Sequence, residues 1–323
     1  MPPPVENDPN LVAEAVALLR AGQVVGMPTE TVYGLAADAL RPEAAARIFA
    51  AKQRPLFDPL IVHVADREGA DACVSEWHPL AETLAAAFWP GPLTLVLPKR
   101  DRVPDLVTSG LPLVAVRVPA HPLALALLRA FGGPLAAPSA NRFGRVSPTT
   151  AAAVREELGD AVPLVLDGGP CAVGLESTIV AFPQGEGRPV LLRAGGVPVE
   201  ALEKIVGPVS LEKQDKTAAA APGQLPQHYA PRTPLRLVAG PDAVPAAARA
   251  RTGLLGWGPL DGTGFARVEN LSESGDFTEA ATRLFAALRR LDGGHVAEIA
   301  AILLPERDLG RAVNDRLRRA AHA

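Results

Sequence analysis

The sequence predicts an α/β protein built around an open sheet, followed by a second and smaller α/β unit. Three observations carry this prediction. Apolar runs of strand length alternate with longer segments of helical periodicity along most of the chain. Proline and glycine punctuate the ends of these segments. A change of composition near residue 207 divides a chain of 323 residues, which is longer than one ordinary domain.

The helices and strands of the first unit follow from these signals in order. A helix over 9–21 ends at Gly22, and Pro42 begins a second helix that runs into Lys52. Further helices are expected over 80–89, over 122–131 and from a cap at 147–149 to Leu158. Strands are expected at 24–27, 60–64, 93–97, 113–118, 135–138, 164–166, 177–182 and 190–193.

A linker separates the two units. The stretch from Gly207 to Pro234 holds five prolines and an alanine tract and lacks periodicity. We therefore predict a catalytic domain over 1–207, a linker over 208–233 and a small α/β domain over 234–323. Its strands are expected at 235–239, 253–257 and 299–304, and its helices at 241–250, 276–291 and 309–320.

Composition excludes several classes of protein. Hydrophobic residues make up 48% and charged residues 21%, which is typical of a soluble globular protein. The net charge of −3 disfavours a general nucleic-acid binder. Two cysteines cannot form a disulfide framework, and neither a signal peptide nor a membrane span is apparent. We therefore expect a cytoplasmic protein.

Familiar catalytic and nucleotide-binding motifs are missing. The sequence contains no P-loop, no dinucleotide fingerprint and no nucleophile elbow. Its six histidines stand singly, without the spacing of a zinc site. A nucleotide would therefore have to be held by a different arrangement.

Polar residues cluster at the ends of predicted strands, where open α/β sheets bind ligands. Lys52 and Arg54 can present two cations to one polyanion, while Ser139 and Asn141 can aim a hydroxyl and an amide at it. Singly, such residues are more often helix ends, turns or ion-paired strand edges. Their joint occurrence predicts a phosphate-bearing ligand. Other members of the cluster are Thr29, Glu30, Thr31, His63, Arg117, Ser147, Thr149, Ser177, Thr178 and Arg193.

The order of these motifs resembles the YrdC-like threonylcarbamoyl-AMP synthases. The segments that carry the resemblance are 28–35 (PTETVYGL), 52–55 (KQRP), 59–63 (PLIVH), 89–94 (WPGPLT), 116–119 (VRVP), 138–141 (PSAN), 147–149 (SPT), 175–179 (LESTI) and 192–195 (LRAG). Residues 222–223 and 228–231 (HYAP), with the small second unit, resemble the long two-domain form. The resemblance implies a YrdC-like open, twisted, mixed sheet flanked by helices, with a small Rossmann-like C-terminal domain.

The resemblance also implies a reaction. Such enzymes make L-threonylcarbamoyl-adenylate and pyrophosphate from L-threonine, bicarbonate and ATP. A partner transferase complex then moves the threonylcarbamoyl group onto an adenosine of certain tRNAs. Mg²⁺ would accompany ATP, no organic cofactor is expected, and neither membrane association nor stable direct tRNA binding is expected.

Residue roles are implied in the same way. Lys52, Arg54, Ser139 and Asn141 are expected to be catalytic, since two anions must be brought together at cations. The expected ATP-binding residues are Lys52, Arg54, Asp58, Ser139, Asn141, Ser147, Thr149, Arg193, His228 and Tyr229. The expected threonine-binding residues are Thr31, His63, Arg117 and Ser177, with Arg117 on the carboxylate.

Two features depart from a simple assignment. The family often has asparagine where this chain has Asp58, and a carboxylate cannot donate hydrogen bonds to phosphates. The pair His228 and Tyr229 lies within the predicted linker, which suggests a lid that folds over the nucleotide.

Two other functions stay open at this point. One is a double-stranded-RNA-binding module, which the net negative charge and an aromatic content of 4% disfavour. The other is the carbamoyl-adenylate chemistry of hydrogenase maturation, whose enzymes carry additional zinc-finger and acylphosphatase regions that are not apparent here.

Overall fold

The computed structural model describes residues 9–182, 187–211 and 228–322. Its helices are α1 Pro9–Arg20, α2 Pro42–Lys52, α3 Pro79–Phe88, α4 Asp105–Thr108, α5 Pro122–Phe131, α6 Ala151–Leu158, α7 Val199–Val206, α8 Ala246–Arg249, α9 Phe277–Asp292 and α10 Gly310–Ala321. Its strands are β1 Val25–Met27, β2 Gly34–Asp38, β3 Ile61–His63, β4 Leu93–Pro98, β5 Leu113–Arg117, β6 Leu135–Ala136, β7 Leu164–Val165, β8 Thr178–Ala181, β9 Val190–Arg193, β10 Ser210–Leu211, β11 Leu235–Val238, β12 Thr252–Gly256, β13 Arg267–Asn270 and β14 Glu298–Ile302.

The first ten strands form one mixed sheet, so the predicted fold class is confirmed. The strand order is β10-β9-β8-β4-β5-β3-β6-β2-β1-β7. The sheet contains parallel pairs, such as β3 with β5, and antiparallel pairs, such as β4 with β5. Apolar residues of α2, α3 and α7 pack on one face, and those of α1 and α5 pack on the other. The sheet is therefore buried on both faces, which explains its continuous apolar strands.

Most element boundaries fall within a few residues of the predicted ones, with several exceptions. Strand β2 was missed, because its small residues are buried on both faces and show no alternation. Helix α6 begins later than predicted: Thr150, not the segment 147–149, is its N-cap and accepts a hydrogen bond from the backbone N–H of Ala153. Helices α4 and α7 and strand β13 were also missed.

The second unit is a four-stranded sheet in which every strand runs parallel, in the order β11-β14-β12-β13. Helix α9 is long and amphipathic, and Asp276 caps its N-terminus through the N–H of Glu279 at 2.7 Å. The helix predicted over 241–250 is instead a short turn of 3₁₀ helix and α8. Pro245 separates them and holds Val244 in an extended conformation.

The predicted linker falls largely outside the described residues, since 212–227 are not described. Of the described part, Ser210 and Leu211 form β10 alongside β9. No helix within the described ranges is both long and apolar enough to cross a bilayer.

Candidate active site

A single cavity gathers many of the predicted residues beside the central strands. His63 is the last residue of β3, Arg117 is the last residue of β5, and the two lie side by side in register. The walls include the predicted residues Thr31, Arg54, His63, Arg117, Ser139, Ser177, Arg193, His228 and Tyr229. Glu176 also lines the cavity, and sequence analysis had given it no role.

Arg117 anchors one wall through three buried contacts. Its Nη2 is ion-paired with Glu30, its Nη1 donates to Thr31 Oγ1 at 2.8 Å, and its Nε donates to the carbonyl of Gly91 at 3.1 Å. Glu30 also accepts from the N–H of Ala120 at 3.0 Å. These contacts fix the guanidinium plane at the end of β5. The position of Glu30 could not be anticipated, because its partner lies 87 residues away.

The hydroxyls of the 28–32 turn continue the same network. Thr29 Oγ1 donates to the carbonyl of Val32 at 2.6 Å, so the 2.8 Å contact between Thr29 and Thr31 is donated by Thr31. Thr31 therefore accepts from Arg117 and donates to Thr29. The turn is locked to β5 by a directional chain of hydrogen bonds.

Lys52 and Arg54 reach the same region because the residue between them reverses the chain. Gln53 ends α2 in the left-handed conformation with a φ of 52°, and the N–H of Arg54 donates back to the carbonyl of Phe49 at 3.0 Å. Arg54 pairs with Asp58 at 2.8 Å and donates to the carbonyl of Pro59. Asp58 thus lies behind Arg54, outside the cavity wall.

Lys52 lies beneath the loop that carries Ser139. Its ammonium donates to the carbonyl of Asn141 at 2.6 Å and to the carbonyl of Ser139. The Asn141 amide donates to the carbonyls of Arg142 and Arg145, both at 2.8 Å. Lys52 and Asn141 therefore hold the loop from below. Ser139 reaches the cavity surface, but Lys52 and Asn141 do not.

The loop also depends on a close approach by Gly34. Gly34 pairs with Ser139, and a Cβ atom there would lie 3.1 Å from the Cβ of Ala137. A larger residue would push the Ser139 loop away from the sheet.

Ser177 and Arg193 form the opposite wall. Arg193 donates to the carbonyl of Ser177 through Nε at 3.1 Å and Nη2 at 2.9 Å, and to Ser177 Oγ at 3.2 Å. Ser177 Oγ also contacts Thr94 Oγ1 at 2.7 Å. The two predicted residues thus orient each other. Ser147 and Thr149 do not reach the cavity surface; Ser147 donates instead to Glu176 at 2.6 Å.

His228 and Tyr229 line the cavity and are themselves buried. His228 is 5% exposed and Tyr229 is 1% exposed. The Tyr229 ring stacks on Phe285 of α9 with centroids 5.6 Å apart, and Ala230 donates to the carbonyl of Gly144 at 2.8 Å. The cavity has a volume of ≈ 40 Å³. That space holds a few water molecules and is too small for a nucleotide.

Burial destabilises the charged forms of the cations at the site. It lowers the pKa of the Lys52 ammonium well below its ordinary value, and Arg54 lowers it further, against the raising effects of Asp58 and Glu157. Burial also lowers the pKa values of Arg54 and Arg193. Cations removed from water interact strongly with a charge that enters beside them. The site is therefore suited to hold a polyanion.

Both cavity histidines are held neutral. Burial first, and then Arg117, lower the pKa of His63 to about 3. Burial lowers the pKa of His228 well below its ordinary value, followed by the cations Arg54, Lys52, Arg193 and Arg319. Neither imidazole therefore competes as a cation for an anionic ligand at neutral pH.

The low pKa of His63 gives stability a definite pH dependence. Between about pH 6.5 and pH 3 the unfolded chain binds a proton that the folded chain does not, so the free energy of unfolding falls as the pH falls. This histidine contributes up to about 1.4 kcal/mol per pH unit. We expect His63→Gln to remove that slope while the slope from His228 remains. Urea unfolding of the wild type and the variant at three pH values between 6.5 and 4.5 measures how the free energy of unfolding depends on pH. The same slope in both proteins would show that His63 does not cause this dependence.

The carboxylates near the cavity are already engaged. Glu30, Asp58 and Glu176 are each paired with an arginine. Within the described ranges no three histidine, cysteine or acidic side chains are grouped to hold a metal ion. These residues do not fit a metal site of the protein's own.

Comparisons with known proteins cover both units. The family model described as Telomere recombination matches residues 17–195, and the model described as Threonylcarbamoyl-AMP synthase, C-terminal domain matches residues 197–322. The chain is 42% identical to a threonylcarbamoyl-AMP synthase of Pyrococcus abyssi, over 95% of this chain and 93% of that one. It is 40% identical to a protein of the same name from Bacillus subtilis, over 98% and 94%. The crystal structure of Pyrococcus abyssi Sua5 in complex with L-threonine superposes with a TM-score of 0.89 at 41% identity, covering 96% of this chain and 94% of that one.

Proposed function

Because this chain belongs to the family of threonylcarbamoyl-AMP synthases, we infer that it makes threonylcarbamoyl-adenylate and pyrophosphate from L-threonine, bicarbonate and ATP. The product serves threonylcarbamoyl modification of tRNA. One observation of the structure supports the inference most strongly: residues from eight separate motifs converge on one buried, cation-rich cavity. An enzyme that joins an anionic carbamate to an anionic phosphate needs such a place.

We propose that threonine binds at the Arg117 wall. The guanidinium would pair with the threonine carboxylate through a charge-assisted contact, and Thr31, His63 and Ser177 would shape the pocket for the side chain. The neutral imidazole of His63 suits this place, since a cation would repel the threonine ammonium before it loses its proton. Glu30 would keep Arg117 in plane throughout.

The nucleotide is proposed to lie between Arg54, Ser139 and Arg193. Arg54 would meet the α-phosphate, with Ser139 and Arg193 on the remaining phosphates and the nucleoside end. Lys52 and Asn141 hold the Ser139 loop in the present structure, so we propose that they act on the phosphates chiefly through that loop. The direct nucleotide contacts assigned to Lys52, Asp58, Asn141, Ser147 and Thr149 stay predictions.

The chemical step is a displacement at phosphorus. The threonine amine and bicarbonate give a carbamate and water, and a carbamate oxygen then attacks the α-phosphorus of ATP. The bond from that phosphorus to the bridging oxygen breaks, and pyrophosphate leaves with the electron pair. Positioning and fixed positive charge supply the acceleration, without a covalent enzyme intermediate. Since the carboxylates of the site are engaged, Mg²⁺ would enter with ATP, held by phosphate oxygens and water.

His228 and Tyr229 are proposed to act as a lid. The cavity is too small for a nucleotide, so we propose that ATP binding moves His228 outward before the pair closes over the nucleotide. We expect the double variant His228→Ala, Tyr229→Ala to raise the KM for ATP about tenfold or more, since a closed lid removes water from the phosphates. Threonine affinity, measured calorimetrically without ATP, should change little. Wild-type kinetics for ATP in the double variant would eliminate the lid.

The setting of the enzyme is part of the proposal. We propose a catalytic domain over 1–207, a linker over 208–233 and a small domain over 234–323. The two family-model matches at 17–195 and 197–322 support two units without fixing these limits. A cytoplasmic location is supported by the two cysteines, which are buried and unpaired. A transferase complex that acts on tRNA would consume the product.

A direct assay tests the proposed function. Purified protein is incubated with Mg·ATP, bicarbonate and L-threonine, and pyrophosphate release is followed. We expect release to require both threonine and bicarbonate. Release that is unchanged when threonine is omitted would show that the assigned reaction is wrong.

A further inference from the structure

One arginine of the small C-terminal unit lies directly behind the wall of the candidate active-site cavity. Arg316 lies on α10 and its side chain is wholly buried. Its Nε donates to Glu176 at 3.0 Å, and Glu176 itself lines the cavity. Ser147 donates to the other oxygen of Glu176 at 2.6 Å. A residue 140 positions further along the chain therefore completes the coordination of a cavity carboxylate.

Arg316 spans two segments that carry substrate-facing residues. Besides Glu176, which precedes Ser177, it contacts the residue that follows Arg193: its Nη1 donates to the carbonyl of Ala194 at 2.7 Å. A planar guanidinium can make both contacts at once, at a fixed separation. One side chain of the other unit thus adds a second tie between the segments that carry Ser177 and Arg193, which already contact each other directly.

The same guanidinium contacts Tyr229, one of the two residues of the proposed lid. Its carbon lies 5.2 Å from the centroid of the Tyr229 ring, within range of a cation–π contact. Asp315 pairs with Arg316 at 2.9 Å and with Arg319 at 2.9 Å, so the guanidinium is held from its own helix as well. The apolar core of the C-terminal unit continues onto Val32, Val146 and Leu175 of the first unit. Arg316 is therefore a buried charged side chain beside the apolar contact between the two units.

We infer that Arg316 is a positioning residue for the adenylation step, so that the C-terminal unit completes the catalytic site. This inference rests on the proposed function, since it concerns the same cavity. Arg316 touches neither substrate. It ties the segments that carry Ser177 and Arg193 to α10 and supports Tyr229, and the alignment of carbamate and α-phosphate depends on these residues.

The test compares kcat with KM in the full-length chain. We expect Arg316→Met to lower kcat about tenfold or more at saturating threonine and ATP, while each KM changes by less than about threefold. Arg316→Lys keeps a cation against Glu176 but cannot hold both segments. We expect it to unfold near the wild-type midpoint and still to lose kcat about tenfold.

Arg311→Met is the matched control, because Arg311 lies on the same helix and pairs across the units with Glu200 at 3.5 Å, away from the cavity. We expect its kcat to stay within about twofold of the wild type. Equal kcat losses in the Arg311 and Arg316 variants would overturn the inference, and so would wild-type kcat in Arg316→Lys. If neither Arg316 variant folds, the residue serves folding and the inference is wrong. If the wild-type enzyme lacks threonine-dependent pyrophosphate release, it is instead the proposed function that has failed.

Discussion

Replacing Arg54 with alanine is expected to lower kcat about 100- to 1000-fold, the range seen when a fixed donor to transition-state charge is removed. Arg54 is buried at 7% exposure, lines the cavity and is held by Asp58 and by the carbonyl of Pro59. Its charge is therefore in place before the substrates arrive and needs no reorganisation. Threonine binding should change by less than about threefold, because the proposed place of this cation is at the α-phosphate rather than at the amino acid.

Two variants complete this experiment. Arg54→Lys keeps the charge but loses the planar fork, so we expect an intermediate loss of kcat. Arg67→Ala removes an arginine whose ion pairs with Asp71 and Glu82 are solvent-exposed, and it should leave kcat unchanged. Full turnover in Arg54→Ala would reduce this residue to a structural partner of Asp58. Thermal unfolding of each variant separates loss of turnover from loss of folded protein.

Arg117→Met is expected to raise the KM for threonine about 30- to 150-fold, which corresponds to about 2–3 kcal/mol for a charge-assisted contact to a carboxylate. The kcat at saturating threonine should fall much less, since the proposed contact is made equally in the ground state. Initial rates over a wide range of threonine concentration measure both quantities.

The design must account for Glu30, which the substitution leaves buried without its ion-pair partner. The double variant Glu30→Gln, Arg117→Met removes the stranded charge and should regain stability without regaining threonine affinity. Arg129→Met serves as a control, because Arg129 is an exposed arginine of the nearby helix α5. An unchanged threonine KM in both Arg117 variants would place the amino-acid carboxylate elsewhere.

The sequence carried much of the fold because most elements have local causes. Helix α5 matched its predicted limits, since Pro122 begins it and Gly132 ends it in the left-handed conformation. Strand β2 escaped notice because burial on both faces of the sheet erases the alternation that marks a strand. The sequence therefore predicts a helix or strand when residues within that segment determine its conformation and its ends.

The site likewise contains residues that the sequence predicts and residues whose role depends on distant contacts. Residues on short motifs were found because their types and spacing are unusual. Ten of them line the cavity: Thr29, Thr31, Arg54, His63, Arg117, Ser139, Ser177, Arg193, His228 and Tyr229. Lys52 and Asn141 were also named, but their role in supporting the Ser139 loop was not predicted. The ammonium of Lys52 is directed at backbone carbonyls 87 and 89 residues away, and backbone groups leave no sequence signal.

Arg316 was beyond sequence reasoning for a different reason. It lies on an amphipathic helix with Arg311, Arg318 and Arg319. Such a group of arginines normally indicates a solvent-exposed helix face. Only the packing of α10 against Glu176 and Tyr229 distinguishes it from its neighbours.

These contacts give one picture of the chemistry. Buried arginines line a small cavity, its two histidines are neutral and add no competing charge, and His228 and Tyr229 lie in its wall, where we propose that they act as a lid. Such a site lowers the repulsion between a carbamate and a triphosphate, which is the main obstacle to joining them.

The most direct test of this account follows the labelled carbon of bicarbonate. The enzyme is incubated with ¹³C-bicarbonate, Mg·ATP and L-threonine, and the products are analysed by rapid mass spectrometry. We expect an adenylate that contains both threonine and the labelled carbon, formed together with an equal amount of pyrophosphate. This adenylate should be absent in Arg54→Ala on the same time scale. An adenylate without the labelled carbon, or pyrophosphate formed without threonine, would contradict it.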